Sequence, residues 1–164
     1  MIGNVWNPLL VENAVPWDSA RATEIIDALA AKPGAALLIF HALQDSFGHV
    51  PAAAVPMVAA ALNITRAEAH GIVTFYHDFR SAPAGTHVLK LCRAEACQSM
   101  GGAALANGLL AHLGIGCGET TADGRVTVEP VYCLGFCACA PAALLDGEPL
   151  GRLDGATLSA ACAA

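Results

Sequence analysis

Four cysteines stand in two close pairs, and their type and spacing offer this chain its chemistry. Cys92-Arg-Ala-Glu-Ala-Cys97 encloses four residues, and Cys133-Leu-Gly-Phe-Cys137 encloses three. Grouped thiolates are what tetrahedral metal sites and iron–sulfur cores take from a protein. Each pair follows an apolar, strand-like run, Val88-Leu-Lys-Leu91 and Val126-Thr-Val-Glu-Pro-Val-Tyr132. Two strand ends would thus deliver four sulfurs to one place, and electron transfer is the leading reading.

Three chemistries compete for these thiols. A [2Fe–2S] core takes four thiolates and is a net dianion that gains a further negative charge on reduction. It needs backbone N–H donors and few nearby acids. Gly101-Gly102 opens a helix and Leu134-Gly135-Phe136 allows close backbone approach, while Glu95 is the one acid in the first loop, beside Arg93. A helix N-terminus favours anionic groups. A structural four-cysteine zinc module is the second reading, although zinc ribbons more often use two-residue spacers. A thiol–disulfide oxidoreductase is the third, but it wants two residues between cysteines that open a helix. Spacing favours the cluster, held by Cys92, Cys97, Cys133 and Cys137, over zinc.

The remaining chemistry-bearing residues carry less. Cys117, Cys139 and Cys162 read as small buried apolar residues, and Cys139 is set aside as a ligand although it lies two residues past Cys137. The six histidines form no metal-ligand pair at helical spacing and read as packing or partner contacts. Gly114-Ile-Gly-Cys-Gly118 lacks the strand before and the helix after that a phosphate cradle needs, so it reads as a turn. Thr74-Phe-Tyr-His-Asp-Phe79 gathers three aromatics, either as core at a domain junction or as a platform against a partner.

Elements must position the pairs. Asp18 or Ser19 caps a helix over Ala20–Lys32, stopped by Pro33-Gly34. A second helix spans residues 35–47 with Ala36, Phe40, Leu43 and Phe47 on one face, ended by Gly48. A third carries Pro56 in its first turn and ends near Leu62. Thr65-Arg-Ala-Glu68 forms a capping box for a fourth, running to about Tyr76. Trp6 and Trp17 anchor the irregular first residues on a neighbour or cover the core. After the break at Ser81–Gly85 come a strand over His87–Leu91, a helix over Met100–Leu113, a loop to Gly124 and a strand over Arg125–Tyr132. Pro130 marks that strand as an edge or a bulge. A hairpin turns at Asp146-Gly147-Glu148, and a last helix starts at Asp154 or Thr157. The fold class is α/β: an arm and small helical bundle over residues 1–82, then a thioredoxin-like domain with a mixed sheet over residues 83–164.

Composition excludes several classes. The 164 residues are 55% hydrophobic and 13% charged, with net charge −6, which suits a buried core and argues against a nucleic-acid partner. No cationic, apolar leader opens the sequence, and no stretch is apolar enough for membrane insertion, so a cytoplasmic location with reduced thiols is expected.

These residues resemble the 24-kDa-type [2Fe–2S] thioredoxin-like ferredoxin subunits of complex I, NAD-linked hydrogenases and NAD-dependent formate dehydrogenases. The resemblance rests on His41-Ala-Leu-Gln-Asp-Ser-Phe-Gly48, Val73-Thr-Phe-Tyr76, Pro83-Ala-Gly85, Gly118-Glu-Thr-Thr121 with Asp123-Gly124, and Cys133-Leu-Gly135 followed by Cys137 and Ala140-Pro141. It places the family's cluster ligands on Cys92, Cys97, Cys133 and Cys137. Within the family, Cys92-Arg-Ala-Glu-Ala-Cys97-Gln-Ser-Met-Gly101 and Val131-Tyr-Cys-Leu-Gly-Phe-Cys-Ala-Cys-Ala-Pro141 are most similar to the gamma subunit of soluble NAD-dependent formate dehydrogenase. Complex I members more often carry serine before the second cysteine and lack a cysteine at position 139. The resemblance implies a non-catalytic electron-transfer subunit beside a flavin- and NAD-binding subunit. A larger molybdenum or tungsten formate dehydrogenase subunit would lie in the same complex, and the alanine-rich helical part would dock.

Overall fold

The computed structural model describes residues 15–163, so Trp6 lies outside the described residues. Among these the chain divides into two compact units, with the boundary in the chain between Pro83 and Ala84.

The first unit is helical: α1 (Ser19–Leu29), α2 (Ala35–Phe47), α3 (Ala54–Leu62) and α4 (Arg66–Phe75). Asp18 caps α1, its carboxylate accepting the N–H of Ala20 at 2.8 Å and of Arg21 at 3.3 Å. This helix stops at Leu29, three residues short of the expected Lys32, and residues 30–34 turn instead. The capping box is present: Thr65 Oγ1 accepts the Glu68 N–H, and Glu68 Oε2 accepts the Thr65 N–H at 2.7 Å. Helix α2 buries Ala35, Ile39, Phe40, Leu43 and Phe47. Its buried face is thus rotated slightly from the expected one, because Ala36 is only half-buried while Ile39 is fully enclosed. Each such large apolar side chain contributes roughly 1.5–3 kcal/mol by burial. Trp17 packs its ring 5.2 Å from that of Phe47 and is 38% exposed, so it covers this core in part. Phe79 closes the same core against Phe40, whereas Phe75 and Tyr76 remain exposed. An apolar groove of about 840 Å³ runs beside them, lined by Leu37, Leu62, Ile64 and Ile72.

The second unit is a mixed four-stranded sheet with helices. In chain order it contains β1 (His87–Cys92), α5 (Glu95–Ser99), α6 (Gly102–Leu113), β2 (Val126–Val131), β3 (Ala143–Leu145), β4 (Glu148–Leu150) and α7 (Gly155–Ala163). The strand order is β2-β1-β3-β4. β1 and β2 run parallel, joined through α5 and α6, while β3 is antiparallel to β1 and β4 to β3. This is the thioredoxin-like arrangement expected. Leu89, Leu91, Val126, Val128 and Ala143 alternate onto one face and are covered by Ala106 and Leu109 of α6 and Leu158 of α7. Pro130 sits on β2, at the end of the sheet order, where a missing N–H costs little. The β3–β4 hairpin turns through Asp146 (φ 51°) and Gly147 (φ 89°), the double positive φ of a type I′ turn. Asp154 caps α7 by accepting the Thr157 N–H at 2.8 Å.

Two expectations need correction. The segment after α6 is not all loop: Thr120 bridges Thr127 antiparallel, so residues 118–121 pair along the outer edge of β2. The first cysteine pair is not joined by a loop either, because α5 forms within it.

Candidate functional site

Parallel β1 and β2 end in register, Cys92 opposite Val131. Both chains therefore leave the sheet at the same end, and this alone brings the two cysteine pairs together. The Arg93 N–H donates to the Val131 carbonyl at 2.7 Å, and the Cys92 N–H to the Ala142 carbonyl at 3.1 Å. Three segments are thus pinned around Cys92: the end of β1, the loop beyond β2 and the approach to β3.

Cys97 is carried by α5. Ala94 to Gln98 are mostly good helix formers, and Gln98 Nε2 folds back to the Arg93 carbonyl at 2.7 Å. Gly101, at φ 87°, ends this turn and α6 starts at once on Gly102. A Cβ on Gly102 would stand 2.5 Å from the Cys97 carbonyl oxygen. Only glycine allows α6 to begin against the backbone of Cys97.

Cys133 and Cys137 occupy the loop after β2. Cys133 has φ 88°, a conformation that side-chain-bearing residues adopt at a cost of about 1–3 kcal/mol. Its sulfur lies 3.8 Å from that of Cys137. Cys92 and Cys97 are buried while Cys133 and Cys137 are exposed. Ala142 packs with the buried pair, flanked by Ala94, Val131, Leu134 and Ala140.

Burial opposes ionisation of the Cys92 thiol, but hydrogen bonds from the Ala94 N–H, the Cys97 thiol and the N–H groups of Cys133 and Leu134 outweigh it and hold the thiol below its ordinary value. Burial, the hydrogen bond to Cys92 and the charges of Cys92 and Cys137 push Cys97 up, against a hydrogen bond from the Ala142 N–H. Cys137 is raised by its hydrogen bond to Cys133 and by the charges of Cys133 and Cys92. The interactions run among these four thiols across both pairs. Their mutual repulsion as thiolates is relieved by a bound cation or cluster.

Among the described residues, no three His, Cys, Asp or Glu side chains gather closely enough for a single metal ion. The sulfurs of Cys133 and Cys137 stand 3.8 Å apart, a pairing that would suit one iron of a two-iron core taking two thiolates on each iron. The donor set of four sulfurs with backbone N–H groups aimed at one of them suits an anionic cluster.

The other cysteines lie elsewhere. Cys162 is buried in the sheet core, as expected, but Cys117 and Cys139 are exposed. Cys139 belongs to a short 3₁₀ turn, Cys137–Cys139. Its carbonyl accepts the Arg152 N–H at 2.6 Å, and a Cβ on Gly151 would stand 2.9 Å from its own Cβ. It therefore borders the segment after β4. Of the histidines, His41 lies 4.8 Å from the Phe79 ring and His49 Nδ1 reaches the Phe47 carbonyl, while His87 pairs with Asp146. Met100, Tyr132 and Phe136 stand exposed beside the cysteine pairs, a feature that cysteine spacing does not announce. The signal available for it is an aromatic residue directly before each cysteine of the second pair.

A thioredoxin-like sheet with two cysteine pairs at its parallel strand ends defines a class, the iron–sulfur proteins built on that fold. A family model described as thioredoxin-like [2Fe–2S] ferredoxin matches residues 22–164. The chain belongs to that family, and its cofactor is a [2Fe–2S] cluster. It is 38% identical over 115 residues to an NADH-quinone oxidoreductase subunit of Pseudomonas aeruginosa, covering 69% of each chain. It is 28% identical over 133 residues to the HndA subunit of the NADP-reducing hydrogenase of Solidesulfovibrio fructosivorans, covering 81% of this chain and 78% of that one. The crystal structure of an air-oxidised NAD+-reducing [NiFe]-hydrogenase superposes with TM-score 0.63 at 31% identity, over 76% of this chain. The present chain spans only 22% of that hydrogenase chain. Among the described residues no helix is long and apolar enough to cross a membrane.

Proposed function

We propose that Cys92, Cys97, Cys133 and Cys137 hold one [2Fe–2S] cluster and that the chain is a non-catalytic electron-transfer subunit of a cytoplasmic NAD-dependent formate dehydrogenase. The observation that carries the ligand set is the in-register end of parallel β1 and β2, which delivers both cysteine pairs to one end of the sheet, with the Cys133 and Cys137 sulfurs 3.8 Å apart. A bound [2Fe–2S] core accepts and returns one electron at a time. The chain supplies four thiolates, the N–H groups of Ala94, Cys133 and Leu134 at the Cys92 sulfur, and burial of one pair with exposure of the other. Hydrogen bonding and burial are the levers by which a protein sets a cluster's potential.

The neighbour would be a flavin- and NAD-binding subunit, which exchanges single electrons with this chain and hydride with NAD. A larger molybdenum or tungsten subunit would oxidise formate, so that formate and NAD+ give CO2 and NADH. The formate assignment rests on the residues within and around the cysteine pairs, including Cys139. A second reading, the equivalent subunit of NADH:quinone oxidoreductase, is favoured by the identity to the Pseudomonas aeruginosa protein. The hydrogenase relatives support a third assembly of the same kind.

Anaerobic purification from the native host tests both levels. Two iron and two acid-labile sulfide per chain are expected; one zinc without sulfide would overturn the cluster in favour of a structural zinc module. A co-purifying molybdopterin subunit would support formate, a nickel–iron subunit hydrogen, and membrane subunits quinone.

A further inference from the structure

The peptide group between Arg93 and Ala94 lies inside the first cysteine pair, anchored on both sides. The Arg93 N–H donates to the Val131 carbonyl at 2.7 Å, and the Ala94 carbonyl accepts the Gln98 N–H at 2.9 Å. A peptide group is planar and trans, so its C=O and N–H point in opposite directions. Between fixed ends it can still turn as one plate, and turning it over exchanges the two groups.

Both groups of this plate are engaged. The Ala94 N–H donates to the Cys92 thiol. The Arg93 carbonyl accepts the Gln98 side chain, with Nε2 at 2.7 Å. That carbonyl precedes the cap of α5 and has no place in the helix ladder, so a side chain supplies what the backbone does not. With the plate turned over, the carbonyl oxygen would face the Cys92 sulfur, and two negative ends would meet. Gln98 follows Cys97 directly on α5, so the helix that carries one thiol also holds the donor to another.

We propose that Gln98 is a positioning residue, whose side-chain amide holds the Arg93–Ala94 peptide so that the Ala94 N–H stays on the Cys92 sulfur and raises the potential of a cluster bound there. This rests on the reading of Cys92 as a cluster ligand, and adds a residue that tunes the site without being a ligand. Reduction adds negative charge, and an N–H aimed at a ligand sulfur stabilises the reduced state more than the oxidised one.

The test is a redox titration of the full chain with its cluster, purified anaerobically and followed by electron paramagnetic resonance. Gln98→Met keeps the length of the side chain and removes its donor. At the solution potential that half-reduces the unaltered protein, the ratio of reduced to oxidised cluster should fall about threefold or more, with iron and acid-labile sulfide retained. Ser99→Ala is the control. Ser99 Oγ donates to the Ala96 carbonyl at 2.9 Å, so its loss loosens α5 without touching the plate, and the ratio should stay as it was. Equal shifts in the two variants would mean that any slackening of α5 moves the potential, which overturns the role of Gln98. An unshifted Gln98→Met overturns it as well. Should Gln98→Met lose its iron, amide exchange measured by nuclear magnetic resonance in the reduced, cluster-free full chain decides. The Ala94 N–H should then exchange about tenfold faster than in the unaltered chain, while the Gln98 N–H on the helix stays protected. Release of both together, or of neither, overturns the proposal. An unaltered chain that holds zinc without sulfide overturns the cluster reading and the proposal with it, whereas the other failures leave that reading standing.

Discussion

The backbone N–H of Cys133 donates to the thiol of Cys92, from the far strand end to the near one. The Leu134 N–H does the same, and the positive φ of Cys133 belongs to the turn that aims both groups. The two pairs are thus tied through the backbone as well as through a shared position on the sheet.

Serine at a ligand position keeps the size of the side chain but replaces sulfur with a harder oxygen. Cys97→Ser and Cys133→Ser should each abolish or alter the electron paramagnetic resonance signal of the reduced protein. Cys162→Ser should leave it unchanged, because Cys162 lies in the sheet core. An unaltered signal after Cys133→Ser would transfer the ligand role to exposed Cys139.

Gly102→Ala should damage the site from outside the ligand set. Its Cβ would meet the Cys97 carbonyl oxygen at 2.5 Å and the carbonyl carbon at 3.0 Å, both backbone atoms that cannot swing aside. Overpacking of this kind costs about 1–3 kcal/mol, and the displaced part is the helix that carries Cys97. Lower thermal stability and reduced iron retention are expected together. Gly108 on the same helix meets nothing within 4 Å, so Gly108→Ala should stabilise by about 0.5–1 kcal/mol. If the two variants melt alike, close approach is not why position 102 is glycine.

What the sequence makes legible follows from the range of each interaction. The Thr65–Glu68 box and the Asp146-Gly147 turn are local, and their residues state them directly. The four thiols are legible because two strand ends imply one place. Helix α5 is not, since a five-residue helix offers no full hydrophobic period and lies between Cys92 and Gly101, where spacing alone reads as loop. The surroundings of Cys139 are equally hidden, because Gly151 and Arg152 reach it from beyond the hairpin.

The His87–Asp146 pair links the start of β1 to the β3–β4 turn, Nδ1 to Oδ2 at 2.7 Å. Burial pushes the Asp146 carboxyl up, but the Val88 N–H at 2.7 Å and the His87 ring outweigh it and hold the carboxyl below its ordinary value. A carboxyl with a depressed folded value contributes stability that is full above its ordinary pKa and is lost as pH falls through the folded one. Both side chains are about two-fifths exposed, so the pair is worth about 0.5–1 kcal/mol after screening. Asp146→Asn keeps an acceptor for Val88 and tolerates the positive φ, but has no charge to lose. It should be less stable than the parent near neutrality, and the gap should close below about pH 4. Thermal melts by circular dichroism at several pH values read this out, and a gap independent of pH would show that the charge contributes nothing.

Gln44 joins α2 to a segment more than thirty residues later, and its amide uses both ends. Nε2 donates to the Asp78 carbonyl at 2.8 Å, while Oε1 accepts the Arg80 N–H at 2.7 Å. The site therefore demands one donor and one acceptor in fixed places. Gln44→Met removes both bonds and should cost about 1–3 kcal/mol. Gln44→Glu keeps the acceptor but sets a carboxylate oxygen against the Asp78 carbonyl, which raises the pKa of the new side chain. Protonation restores a donor, so the deficit of the glutamate variant should shrink as pH falls, whereas that of the methionine variant should not. Trp17, packed on Phe47 in the same unit, reports the transition by fluorescence during denaturant unfolding. Equal pH dependence in the two variants would mean that the amide donor to Asp78 does not hold this segment in place.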